Sequence, residues 1–84
     1  MNTERDEIWG IAFARVCEFF SEQRNVIREN EQCFMYKNTR IELERQPDRK
    51  MGSLVFPRTR VVIRGEEAEE IYRRFYLRFL SAGG

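Results

Sequence analysis

The residues with the clearest capacity for chemistry in this sequence are basic ones between positions 45 and 64. Six bases stand there against the single acid Asp48: Arg45, Arg49, Lys50, Arg58, Arg60 and Arg64. A guanidinium group binds phosphate or carboxylate through two parallel hydrogen bonds. A basic strand face that also carries an aromatic side chain, such as Tyr36, could hold a nucleic-acid backbone and stack a base. We therefore treat this segment as a candidate anion-binding surface.

The charge of the whole chain supports a second interpretation of the same residues. The net charge is only +1, and the pI of 7.8 is below the value of about 9 that is typical of a dedicated nucleic-acid-binding domain. Arginines on a solvated strand also keep a protein soluble and protect a sheet edge from association. The sequence leaves both interpretations open.

Few residues in the sequence could support catalysis. Histidine is absent, which removes the commonest general base and the commonest metal ligand. A Ser-His-Asp or Cys-His arrangement cannot be built within one such chain. Cys17 and Cys33 are too few for a zinc site, and we expect both to be buried, because free cysteine is among the most buried residue types. The sequence therefore predicts no catalytic residue, no metal ion and no cofactor, and we expect a protein that is not an enzyme.

The sequence ends in the pair Gly83-Gly84. This ending is similar to that of sulfur carriers and ubiquitin-like proteins, which lead into their two glycines from a strand. Here a predicted helix leads directly into the pair. We therefore interpret Gly83 as the stop of a helix.

Both ends of the sequence have the apolar periodicity of a helix. Near the N-terminus, Thr3 is a candidate cap, and the apolar residues between positions 8 and 20 recur at i, i+3 and i+4. We predict a helix that begins after Thr3 and ends near Asn25. Near the C-terminus, the acids of residues 66–70 fill a first turn, where the helix dipole favours negative charge. We interpret them as the start of a helix that ends at Gly83, and not as a metal site.

Between these helices the apolar period changes to that of a strand. The alternation and the β-branched residues predict strands at 32–37, 39–45 and 53–64. A short extended piece is expected at 26–28. Turn-forming residues predict a tight turn at 37–39 and a longer loop at 47–53. Pro57 must lie at an edge, a bulge or a break of the last strand.

These elements predict one α+β domain over residues 1–84. Its order is α-β-β-β-α, and the short connections imply an antiparallel three-stranded meander. We expect two layers, with the N- and C-terminal helices packed on one face of the sheet. No apolar run approaches the roughly 18 residues of a membrane span, and the polar N-terminus lacks the features of a secretory signal. We therefore expect a cytoplasmic protein.

The last predicted helix has more apolar surface than one buried stripe requires. Tyr76, Leu77 and Leu80 extend beyond that stripe and are candidates for a partner interface. A chain of 84 residues buries only about 60% of its unfolded surface, and self-association enlarges a small core. The expected partner is therefore another protein or a second copy of the chain, as a homodimer.

Together these features predict a non-enzymatic interaction or regulatory module. It would bind a protein partner, or itself, through the apolar helix surface and the Arg-rich sheet edge. The alternative is an RNA- or DNA-binding module that uses the basic segment 45–64. A third hypothesis is a small ribonuclease without histidine. Its acid-base and phosphate-stabilising residues would be Tyr36, Glu42, Arg58 and Arg60.

Overall fold

The computed structural model describes residues 3–83, with side chains up to residue 80. The described chain forms five strands and two helices. In chain order they are β1 (Thr3–Trp9), α1 (Phe13–Glu22), β2 (Val26–Arg28), β3 (Cys33–Tyr36), β4 (Thr39–Met51), β5 (Leu54–Gly65) and α2 (Ala68–Gly83). Neither helix is long and apolar enough to cross a membrane.

The five strands form one sheet in the order β1-β5-β4-β3-β2, and every neighbouring pair is antiparallel. The predicted meander is present as β3, β4 and β5, joined by short turns. The prediction of only three strands is wrong, because β1 and β2 add one strand at each edge. The short extended piece expected at 26–28 is confirmed as β2.

The N-terminal segment is the largest error of the sequence interpretation. Thr3 does not cap a helix, because residues 3–9 form β1, in which partly buried and exposed side chains alternate. This strand pairs with β5 from Thr3 opposite Gly65 to Trp9 opposite Thr59. Helix α1 begins only at Phe13. The physical reason is that β1 satisfies the backbone edge of β5 that a helix would leave open.

One side of the sheet, here called the inner side, packs against both helices, as predicted. Helix α1 lies over β2, β4 and β5, and α2 lies over β1 and β5. Buried residues of both helices and of the inner side form one core cluster. At its centre the rings of Phe20 and Phe75 stack with centroids 5.5 Å apart. Burial of each of these rings contributes roughly 1.5–3 kcal/mol to the free energy of unfolding.

Strands β4 and β5 continue beyond the rest of the sheet as a two-stranded projection, here called the distal arm (residues 46–58). The loop predicted at 47–53 is therefore wrong, since only Gly52 and Ser53 form the turn. A register shift between Gln46 and Arg49 marks a bulge where the arm begins. Pro57 lies beyond the end of β1, on an edge with no neighbouring strand, which confirms the prediction for this residue. The arm contributes to the elongated shape of 43 × 25 × 22 Å.

A close contact between two turns fixes the start of α2. Gly65 has φ +142°, and a Cβ there would lie 2.6 Å from Thr39 Cα and 2.7 Å from the carbonyl oxygen of Asn38. The Thr39 hydroxyl accepts a hydrogen bond of 2.7 Å from the backbone N–H of Glu67, just before α2. The side chain of a neighbouring strand thus satisfies an N–H that α2 itself leaves open.

Candidate interaction surfaces

The six basic residues singled out by sequence lie on separate parts of the molecule. Arg60 and Arg64 project from the outer side of the sheet, opposite the helices. Arg45 lies on the inner side, where its guanidinium carbon is 4.2 Å from the ring centre of Phe13. The other three bases belong to the distal arm: Arg49, Lys50 and Arg58. The structure therefore does not bring all six onto one surface.

The arginines on the outer side of β5 are paired with carboxylates of the neighbouring strands. Arg60 donates two hydrogen bonds to Asp6, of 2.9 and 2.6 Å. Arg64 pairs with Glu4 and lies 3.7 Å from Glu42. The hydrogen bond from Arg60 lowers the pKa of Asp6 and raises that of Arg60 itself. These exposed pairs stabilise the fold weakly, but they neutralise charge that an anionic partner would need.

The candidate interface residues of α2 do lie together. Tyr76, Leu77 and Leu80 are exposed to 38%, 57% and 48%, and Tyr76 and Leu80 are one helical turn apart. Tyr76 packs edge-on against Trp9 of β1, with ring centres 6.0 Å apart. A groove of about 610 Å³ lies beside them. Its lining residues are Arg5, Glu69, Glu70, Tyr72, Arg73, Arg74, Tyr76 and Leu77. We call this groove and the three residues the α2 surface.

Hydrogen bonds between β1 and α2 hold one wall of the groove. Oε1 of Glu7 accepts from the Tyr72 hydroxyl at 2.8 Å and from Nε1 of Trp9 at 3.0 Å. Burial, then the bond to Glu7, raises the pKa of Tyr72 to about 12. The Arg5 guanidinium lies 4.3 Å from the Tyr72 ring centre and bonds Glu69 at 3.1 Å. This contribution of β1 was not predicted from the sequence, because residues 3–9 were assigned to a helix.

Tyr36 does not take part in a surface with the basic residues. Its ring is 1% exposed, so it cannot stack a base. Its hydroxyl donates to the carboxylate of Glu70 and accepts from Nη2 of Arg74 at 3.0 Å. The bond from Tyr36 is the first cause that lowers the pKa of Glu70. Glu42 and Arg60 project from the other side of the sheet, so the residues of the ribonuclease hypothesis do not form one site.

Both cysteines are buried, as expected. Cys17 is 6% and Cys33 5% exposed, and burial is the largest cause that raises the pKa of each thiol. A raised pKa keeps sulfur in the less reactive thiol form. Within residues 3–83, no group of three or more His, Cys, Asp or Glu residues is placed to hold a metal ion.

A comparison with protein-family models matches the chain to a family of small proteins. Residues 4–84 match the model of the family described as archaeal MoaD-like protein. No curated protein matches the chain significantly. The family match spans both the α2 surface and the distal arm.

Proposed function

Since this chain belongs to the family of archaeal MoaD-like proteins, we propose that it is a non-enzymatic module that docks onto a partner protein through the α2 surface. One observation carries the proposal: Tyr76, Leu77 and Leu80 are exposed together beside a groove. Apolar side chains grouped within a polar rim are typical of protein-interaction sites. A second copy of this chain is the alternative occupant.

The chemistry of the α2 surface suits an apolar partner residue with a polar surround. Leu77 is the most exposed of its three apolar residues, and full burial of one such side chain contributes roughly 1.5–3 kcal/mol. The Tyr72 ring is held by its bond to Glu7, so little side-chain entropy is lost when a partner covers it. Charged residues such as Arg73 also line the groove. They would set the orientation of the partner more than its affinity.

The test compares variants of the α2 surface with a control at the far edge of the sheet. Leu77→Glu and Leu80→Glu place a charge in the proposed interface. Ile27→Glu is the matched control, because Ile27 is 69% exposed on β2. Sedimentation velocity first shows whether the 10.2 kDa chain associates with itself. Quantitative co-purification from the native cell then identifies any other partner.

The proposal expects one defined complex that forms with the wild type and with Ile27→Glu. Both α2 variants should lose it, while their circular dichroism stays unchanged. A complex that survives Leu77→Glu and Leu80→Glu would place the interface elsewhere. A chain that remains monomeric and retains no protein under all conditions would contradict the proposal.

A carrier role for Gly83-Gly84 is a second candidate, favoured by the family and by the similarity of this pair to the ending of sulfur carriers. Helix α2 runs to Gly83, and Gly84 lies outside the described residues. Such a role would require the last turn of α2 to unwind so that the pair can extend into a partner. The intact mass of protein from the native cell tests it, since a thiocarboxylate replaces one oxygen by sulfur. A chain that never carries the sulfur would exclude this role.

Binding of RNA or DNA through the basic segment 45–64 stays a prediction, and fewer residues support it than the sequence suggested. Arg60 and Arg64 are paired with carboxylates, and Tyr36 is buried. A nucleic-acid complex would weaken linearly on a log-log plot against salt. Titration with short single-stranded RNA and DNA at two salt concentrations measures this directly.

A further inference from the structure

The distal arm carries an apolar surface that the α2 surface does not explain. Met51, Leu54 and Phe56 are exposed to 55%, 59% and 41%. The pairing of Arg49 with Phe56 and of Met51 with Leu54 places these side chains on the outer side of the sheet. Ile8 of β1, 52% exposed, lies on the same side at the base of the arm.

Ile8, Met51 and Phe56 line a shallow groove on the side of the sheet opposite the helices. The groove has a volume of about 410 Å³. Its lining residues are Ile8, Gly10, Arg49, Met51, Phe56 and Arg58. It shares no lining residue with the groove of the α2 surface. A two-stranded ribbon alone is marginally stable in water, so a surface of this kind gains from being covered.

The charge of the arm differs from that of the adjoining sheet. Among the described residues, Arg49, Lys50 and Arg58 form no ion pair, whereas Arg60 is paired with Asp6. The only side-chain hydrogen bond of Arg58 in this region goes to the carbonyl oxygen of Pro47. The arm holds these three bases against the single acid Asp48. An acidic partner would therefore find cations that are not already neutralised.

Both backbone edges of the arm, on β4 and on β5, are poorly suited to adding a strand. In a two-residue hairpin the closing pair, here Met51 and Leu54, is hydrogen bonded. Hydrogen-bonded pairs alternate along the strand, so Leu54 and Phe56 bond to β4. The backbone groups of Val55 and Pro57 therefore point to the open edge of β5. Pro57 has no N–H to offer there. The β4 edge of the arm is interrupted by the bulge between Gln46 and Arg49, which contains Pro47. Recognition therefore relies on the outer side chains and not on β-strand addition.

We propose that the outer side of the distal arm binds an acidic segment of a partner protein that also carries apolar side chains. The apolar side chains pack against Ile8, Met51 and Phe56, and the carboxylates pair with Arg49 and Arg58. This site is independent of the α2 surface and adds to the proposed function. Pairing two arms of the same chain would oppose like charges, which destabilises a sheet or interface. A nucleic acid would satisfy the cations and could stack a base on Phe56, but it would leave Ile8 and Met51 without apolar partners.

The test uses synthetic peptides and the 84-residue chain. The probe is a labelled amphipathic peptide of glutamate, leucine and phenylalanine, followed by fluorescence anisotropy. Three other probes separate the contributions: the same peptide with lysine for every glutamate, the same peptide with serine for every apolar residue, and a single-stranded DNA oligonucleotide. Tight binding is expected only for the first probe.

Variants then locate the binding site. Phe56→Ala should weaken binding about tenfold, since an aromatic anchor typically contributes more than 1 kcal/mol. Arg49→Glu should weaken it about fivefold, while Arg24→Glu, the same charge change in the turn after α1, should have little effect. Leu77→Glu should also have little effect, which separates this site from the α2 surface. Unchanged circular dichroism checks the fold of each variant.

Several outcomes would overturn the inference. The lysine peptide could bind as well as the glutamate peptide, or the oligonucleotide could bind more tightly than either. Binding could survive Phe56→Ala or disappear in Leu77→Glu. A dimer in sedimentation velocity that Phe56→Ala dissociates would assign the arm to a second copy. Absence of binding by the acidic peptide would contradict the proposal as stated.

Discussion

Replacing Gly65 by alanine perturbs the contact that sets the start of α2. The φ of +142° at Gly65 disfavours any residue with a Cβ, and such strain costs of order 1–3 kcal/mol. The new methyl group would also lie 2.6 Å from Thr39 Cα and 2.7 Å from the Asn38 oxygen. Both are backbone atoms that cannot turn aside, and overpacking adds about 1–3 kcal/mol. The sum is about 2–6 kcal/mol.

That loss is large for a chain of this size. At 0.05–0.15 kcal/mol per residue, 84 residues give a total stability of about 4–13 kcal/mol. At the midpoints of these ranges, Gly65→Ala should lose about half of its free energy of unfolding, measured by urea denaturation at constant m value. The hairpin of β3 and β4 would have to shift away from α2 to accommodate it.

Two other glycines provide matched controls. Gly10→Ala places a Cβ with nothing within 4 Å, so its stability should stay within about 0.5 kcal/mol of the wild type. Gly52→Ala meets no atom either, but its φ is +64°, so it should cost about 1–2 kcal/mol from backbone strain alone. The expected loss of unfolding free energy is smallest for Gly10→Ala, larger for Gly52→Ala and largest for Gly65→Ala. A Gly65→Ala protein as stable as Gly10→Ala would refute the reasoning.

Three further measurements check local features of the structure. Tyr72 should ionise near pH 12 in an absorbance titration, because its pKa is raised to about 12 from 10, and Tyr72→Phe should remove the absorbance step near pH 12. The contribution of neutral Tyr72 to the free energy of unfolding is complete below pH 10 and falls as the pH rises from 10 to 12. Thr39→Val should cost about 1–3 kcal/mol of unfolding free energy, because it leaves the Glu67 N–H without its partner, whereas an unchanged urea midpoint would remove that bond from the account. Cys17 and Cys33 should react slowly with iodoacetamide in the folded protein and rapidly in urea, because burial raises the pKa of both thiols, and rapid alkylation of the native state would contradict their burial.

The parts of the fold with strong periodicity could be predicted from sequence. The stripe of α2 and the alternation of β3, β4 and β5 identify those elements, because their apolar residues face one core. The segment Thr3–Trp9 gave a misleading signal. Its strand alternation is mostly between charged residues, while Ile8 and Trp9 fit the helical pattern of the residues that follow. Only pairing with β5, 50 to 62 positions away, determines that it is a strand.

The same error hid the electrostatics of the predicted basic surface. Arg58 and Arg60 are two positions apart on β5 and both project from its outer side. Asp6, the partner of Arg60, could not be recognised, because residues 3–9 were assigned to a helix. The distal arm was missed for a different reason. Residues 47–53 contain a proline, an aspartate and a glycine, which are typical of a loop, and the pairing of β4 with β5 overrides that preference.

The most direct test of the central claim is photo-crosslinking in the native cell. A photoreactive phenylalanine analogue replaces Leu77, and the same analogue replaces Ile27 as the control. Docking through the α2 surface predicts one defined protein adduct, to a partner or to a second copy, from position 77 and none from position 27. Equal adducts from the two positions, or none from position 77, would contradict docking through the α2 surface.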